Sequence, residues 1–164
     1  AEEAIEDLAD LFHVSLREAK RMSSLAEEIS LCKRYLRIES HRFGDRLKTI
    51  WEIDDLPEGA RLPSLTLQPI LENAIYHGIE LLPEGGVIYI RGHRTSKEIT
   101  ITIDNPLPSD GNSDHYKGNQ MAQENIRQRL SAYYGSKGRL ITHYDNLRYV
   151  TKIVVPYPHE NTGR

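Results

Sequence analysis

Near residue 46 the apolar periodicity of this 164-residue chain changes from helical spacing to alternation, which limits it to folds that layer helices on a sheet. Before the change, Ile5, Leu8, Leu11, Phe12 and Leu16 share one helical face, and Met22-Ser23-Ser24 interrupts. Ser24 followed by Glu27 forms a capping box, in which hydroxyl and carboxylate satisfy each other's orphan backbone donors. A second helix follows, with Leu25, Ile29, Cys32, Leu36 and Phe43 on its apolar face and Gly44 near its end. Beyond it, Leu47 to Ile53 alternates as a strand, 54–59 reads as a loop, and a third helix follows Pro63. Gly86 to Arg94 and Glu98 to Asp104 predict a hairpin, with Ile99, Ile101 and Ile103 on its buried face. Residues 105–119 read as a long mobile loop, and a fourth helix runs to about Tyr134, where Gly135 and Gly138 stop it. Arg139 to His143 and Tyr149 to Val155 supply two closing strands. The expected class is α+β, with helices on one face of a mixed, mostly antiparallel sheet.

Composition narrows the function. A 38% hydrophobic and 27% charged chain with both signs present folds, and no apolar run approaches the length needed to cross a bilayer. A net charge of -3 is unlike that of a general nucleic-acid binder, so no direct nucleic acid and no membrane contact are expected. Cys32 is alone, which excludes disulfide frameworks, zinc ribbons and thiol redox pairs. The histidines fall in no metal-ligand spacing, and there is neither a nucleophile elbow nor a Walker loop. The chain starts at Ala1, which reads as an excised segment whose parent carries any targeting or membrane portion upstream.

The stretch from Leu65 to Gly78 holds the most chemistry. At about 100° per residue, Leu67, Ile70, Leu71, Ala74 and Ile75 fall on one side and Glu72, Asn73, Tyr76 and His77 on the other. Asn competes with the backbone for hydrogen bonds and is a weak helix former, so a central Asn beside a Glu suggests work for its amide oxygen. An amide oxygen with a carboxylate suits Mg2+, which takes oxygen ligands and brings waters and a substrate phosphate. The same pattern also describes an ordinary solvated helix face ending in a His.

Leu67-Gln-Pro-Ile-Leu-Glu-Asn-Ala-Ile-Tyr-His-Gly78 resembles the N box of sensor histidine kinases of the LytS type. The helix from Leu25 to Leu47 is similar to the one joining that group's dimerisation segment to its ATPase sheet. Asp104-Asn105 looks like the start of the G1 box, and Asn125-Ile-Arg-Gln-Arg-Leu130 with Tyr134-Gly135 looks like the end of the G2 region. The likeness covers nearly the whole chain, which resembles the AlgZ (FimS) branch in particular. It implies a two-layer GHKL (Bergerat) fold, with 1–23 ending a dimerisation or linker helix, 24–158 forming the ATP-binding domain and 159–164 a tail. It further implies ATP and Mg2+ as cofactors and phosphoryl transfer to a His outside this segment, then to a response regulator of LytTR type. The parent would be a homodimer, anchored in the inner membrane with this part in the cytoplasm.

By that resemblance Asn73 ligates Mg2+, Asp104 accepts the adenine amino group, and His77 and Gly78 line the phosphate side. Asn105, Gly118, Met121 and Asn125 complete the nucleotide set, Glu72 is the catalytic candidate, and 106–119 is the ATP lid. Some positions depart from the family pattern. Pro106, Leu107 and Pro108 stand where G1 glycines are usual, only Gly118 remains of the G2 glycines, Tyr76 replaces a frequent Lys, and Arg148-Tyr149 replaces Gly-Thr. Glycines let a loop approach phosphate closely, so weak nucleotide binding is expected. The alternative is a degenerate domain of the same fold that serves as a docking platform for the response regulator. His13 lacks the setting of a phosphoacceptor, so none is assigned within the chain.

Overall fold

The computed structural model describes residues 2–8, 22–109 and 120–158. A short helix over 2–8 (α1) precedes β1 (Met22–Ser24), α2 (Leu25–Phe43), β2 (Leu47–Glu52), β3 (Arg61–Pro63) and α3 (Leu67–His77). The chain continues through β4 (Gly86–Arg94), β5 (Glu98–Pro106), α4 (Gln120–Tyr134), β6 (Arg139–Asp145) and β7 (Arg148–Pro156). Five strands form one sheet in the order β2-β4-β5-β7-β6, parallel between β2 and β4 and antiparallel elsewhere. The expected α+β class and mixed sheet are thus present. A separate two-stranded ribbon, β1 with β3, is an addition, since three-residue strands carry no readable periodicity.

Local chemistry sets the element boundaries. Ser24 Oγ accepts the Glu27 N–H at 3.1 Å and starts α2, while Gly44 takes φ 56 and returns its N–H to Ser40 O. Pro69 fits the first turn of α3, where backbone donors have no intrahelical partner. The apolar side of α3, with Ile70, Leu71, Ala74 and Ile75 buried, lies on Ile99, Ile101 and Ile103 of β5 in one continuous core. Among the described residues no helix is long and apolar enough to cross a membrane.

Candidate functional site

The end of α3 meets the end of β5 because Gly78 permits it. A Cβ there would stand 2.7 Å from Pro106 O and 2.9 Å from Asn105 Nδ2, against the backbone as well, so no larger residue fits. This contact brings Asn73 of α3 to Asn105 of β5 on the helix-facing side of the sheet. The two amides flank a cavity of ≈ 10 Å³ lined also by Ile70, Ala74, Gln123, Tyr149 and Thr151. Tyr149 is 7% exposed, its hydroxyl accepts a hydrogen bond from Gln123 Nε2 at 2.6 Å, and its ring lies against Tyr144 with centroids 5.2 Å apart.

Burial along β5 alternates, with Ile99, Ile101, Ile103 and Asn105 facing the helices and Asp104 facing away. The expectation that Asp104 reads adenine therefore does not fit this geometry. Its carboxylate is held on the other face of the sheet by Arg148 Nε and by Arg91 Nη1 at 3.1 Å. Both guanidinium groups lie over the Tyr89 ring, and Arg148 Nη2 also reaches Val87 O at 2.7 Å and Asp104 O at 3.0 Å. A strand flips sides at every residue, so a reading shifted by one position moves the site to the wrong face. Asn105 takes the place in the cavity, with its Nδ2 donating to Pro106 O at 3.1 Å.

On its other side Asn73 borders an open hollow of ≈ 450 Å³ between α2 and α3, with Tyr35, Glu39, Arg42, Glu72, Tyr76 and Glu80. The field there is negative. Burial and then the Glu39 and Glu72 carboxylates push the Tyr35 phenol well above its ordinary range. Glu39 Oε2 is buried without a hydrogen-bond partner among the described residues. Arg42 lies 3.5 Å from that oxygen and 3.2 Å from Glu80 Oε2, so one cation faces three carboxylates, and a hollow of hard oxygens with net negative charge suits Mg2+ better than a bare phosphate. Among the described residues no three acidic, His or Cys groups converge to hold a metal alone, so Asn73 would share the ion with waters and a ligand's oxygens.

The remaining expected residues are spread around this centre. His77 ends α3 edge-on to Tyr76, with ring centroids 4.9 Å apart, and Glu72 Oε1 accepts from Gln68 Nε2 at 3.1 Å. Met121 is 77% exposed and Asn125 is exposed on α4, so neither lines the cavity, whereas Gln123 does. Gly118 and most of the expected lid lie outside the described residues, as does His13.

Glu28 escaped the sequence reading although it stands on the apolar stripe of α2 beside Leu25, Leu31 and Cys32. It is 1% exposed, and its two oxygens accept the N–H groups of Leu65 at 2.8 Å, Thr66 at 3.1 Å and Leu67 at 3.2 Å. Burial pushes its pKa up, while those donors and Arg129 pull the other way. A charged residue on an apolar stripe was the signal that could have found it.

Comparison with known proteins places this geometry in context. The family model "Histidine kinase" matches residues 1–47. The sensor histidine kinase YesM of Bacillus subtilis is 31% identical over 96% of this chain and 27% of its own length. The sensor protein LytS of Staphylococcus haemolyticus is 28% identical over 92% of this chain and 27% of its own. The chain thus spans about a quarter of the length of these relatives. Among solved structures, the histidine kinase AdeS of Acinetobacter baumannii superimposes with a TM-score of 0.62 at 12% identity, covering 95% of this chain and 76% of that one. The histidine kinase ThkA in complex with its response regulator TrrA gives 0.58 at 14% identity, covering 98% and 50%. Full-length ShkA in complex with AMPPNP gives 0.57 at 13% identity, covering 93% and 35%. At these identities the structures speak for the fold.

Proposed function

Starting from a chain that belongs to the sensor histidine kinase family, we propose that it is the ATP-binding catalytic region of such a kinase. The observation that carries this reading is the meeting of Asn73 and Asn105 at one cavity beside an acidic hollow, on the fold shared with histidine kinases. Asn73 holds Mg2+ through its amide oxygen, with Glu72 adding negative field and orienting the incoming imidazole. Mg2+ supplies charge neutralisation at the phosphates. Asn105 faces the base, His77 and Gly78 border the phosphates, the start of α4 with Met121 directs backbone donors towards them, and Asn125 of the same helix and Gly118 complete the nucleotide set.

In this reading the γ-phosphoryl group passes from ATP to a histidine nitrogen outside this segment and ADP departs. Positioning and charge neutralisation do most of the catalysis. The phosphoryl group then moves to a response regulator, of LytTR type by analogy with the LytS relatives. The ThkA–TrrA complex supports a partner of that class. The parent is a homodimer with this region on the cytoplasmic side of an anchored sensor.

One observation favours a second reading. A cavity of ≈ 10 Å³ closed by Tyr149 and Gln123 admits no purine, so a platform that docks the response regulator without nucleotide competes with the kinase. Titrating Mg2+-ATP into the chain and into its Asn73→Ala variant separates the two. A saturable heat in the wild type that loses its Mg2+ dependence in the variant supports the kinase. No heat in either supports the platform.

A further inference from the structure

We propose that Glu28 is a positioning residue, which sets where α3, and Asn73 with it, stands relative to α2 and α4. The proposal rests on the nucleotide reading only in calling the cleft beside Asn73 functional.

The need for Glu28 arises in α3 itself. Thr66, at the N-cap position, is already in the helical region at φ -87 and ψ -47, and its hydroxyl donates to Pro63 O instead of capping the helix. The N–H groups at the start of α3 are left to an outside acceptor. Glu28 of α2 is that acceptor for Leu65, Thr66 and Leu67. A carboxylate at this place also meets the positive end of the helix dipole.

The peptide being held is strained. Leu65 takes φ 60, a left-handed conformation that a residue with a Cβ adopts only when its surroundings impose it. Its N–H is held from α2 by Glu28, and its carbonyl oxygen accepts from Arg129 Nη1 of α4 at 3.3 Å. Ser23 and Ser64 join the ribbon to the same corner through a short hydroxyl contact. One residue is thus gripped by two helices, and Arg129 faces the Glu28 charge at the same time.

A helix is stiff, so a displacement at Leu67 arrives at Asn73, six residues or about 9 Å further along, nearly undiminished. The cavity between Asn73 and Asn105 is at the threshold for holding a single water, so a small shift of α3 changes what fits. Gln123, which ties down Tyr149 there, sits on the same helix as Arg129. Glu28 therefore links the position of α2 to both walls of the cleft.

The test uses the 164-residue chain and the side-chain amide resonances of Asn73 and Asn105 in nitrogen-15 spectra. Glu28→Gln keeps the size and loses an acceptor oxygen and the charge. We expect both amide signals to move by several linewidths and exchange at residues 65–67 to rise at least about tenfold. Leu140→Ala, a core change near the far end of the sheet with a comparable loss of stability, should leave both signals in place. If Glu28→Gln does not fold, Arg129→Gln removes the second grip, and the same two signals should move by several linewidths from their wild-type positions. Unmoved signals in a folded variant, or equal movement in Leu140→Ala, would overturn the proposal. Movement of the signals in a chain that takes up no Mg2+-ATP supports the positioning role and counts against the nucleotide reading alone.

Discussion

At the scale of single residues, the phase of β5 decides the chemistry. Asp104 balances Arg91 and Arg148 on the sheet's outer face, and its partly exposed pairs carry structural weight. Asp104→Asn should cost about 1 to 2 kcal/mol in a urea melt and leave any nucleotide affinity within about threefold. A tenfold loss of affinity with stability unchanged would return the base-reading role to Asp104. Glu28 gives a pH signature of known sign. Burial, the largest cause, raises its folded pKa above the unfolded value, so the stability it contributes is fully present below the unfolded pKa and falls as pH rises through the folded one. The stability of the wild type relative to Glu28→Gln should therefore shrink between about pH 4 and the range just above ordinary glutamate values. A difference that grows with pH over that window would show that the three backbone donors outweigh burial.

At the scale of elements, α3 was legible in outline and obscure at its start. Its amphipathic spacing marked Ile70, Leu71, Ala74 and Ile75 for burial, and they lie in the core. Leu71→Ala should cost about 2 to 5 kcal/mol, read by denaturant melts, because the cavity it leaves sits between helix and sheet. Loss below about 1 kcal/mol would mean that the neighbouring side chains collapse into the space. What the sequence concealed were contacts between distant elements. Nothing in the local pattern says that Thr66 fails to cap α3, that Glu28 replaces it from 38 residues upstream, or that β2 pairs in parallel with β4. The Asp104-Asn105 pair was found as a motif, yet its orientation depends on a one-residue phase that only the sheet register settles. For α4, the missing glycines argue for weak phosphate donation. Gln120→Gly combined with Ala122→Gly should strengthen ATP binding, measured by calorimetry, if backbone approach is the limit. No gain in a folded double variant would assign the limit to Tyr149 and Gln123.

At the scale of the whole molecule, helices cover one face of a five-stranded sheet, and the site forms where α3, β5, β7 and α4 converge. Such a layered fold hosts many activities, so the kinase reading stands on Asn73, Asn105 and the acidic hollow and not on architecture. On the proposed reading, the departures in the glycine-poor segments and the tight cavity would lower affinity, while the oxygen-rich surroundings of Asn73 would give a response to Mg2+. Losing two charge-assisted hydrogen bonds to phosphate, at roughly 1.5 to 3 kcal/mol each, takes a micromolar site to around millimolar. The most direct measurement is calorimetric titration of the unaltered chain with ATP, with and without Mg2+. Saturable binding between about micromolar and millimolar that tightens when Mg2+ is added is the predicted result. No binding at several times the upper end of that range, with the chain folded, would contradict it.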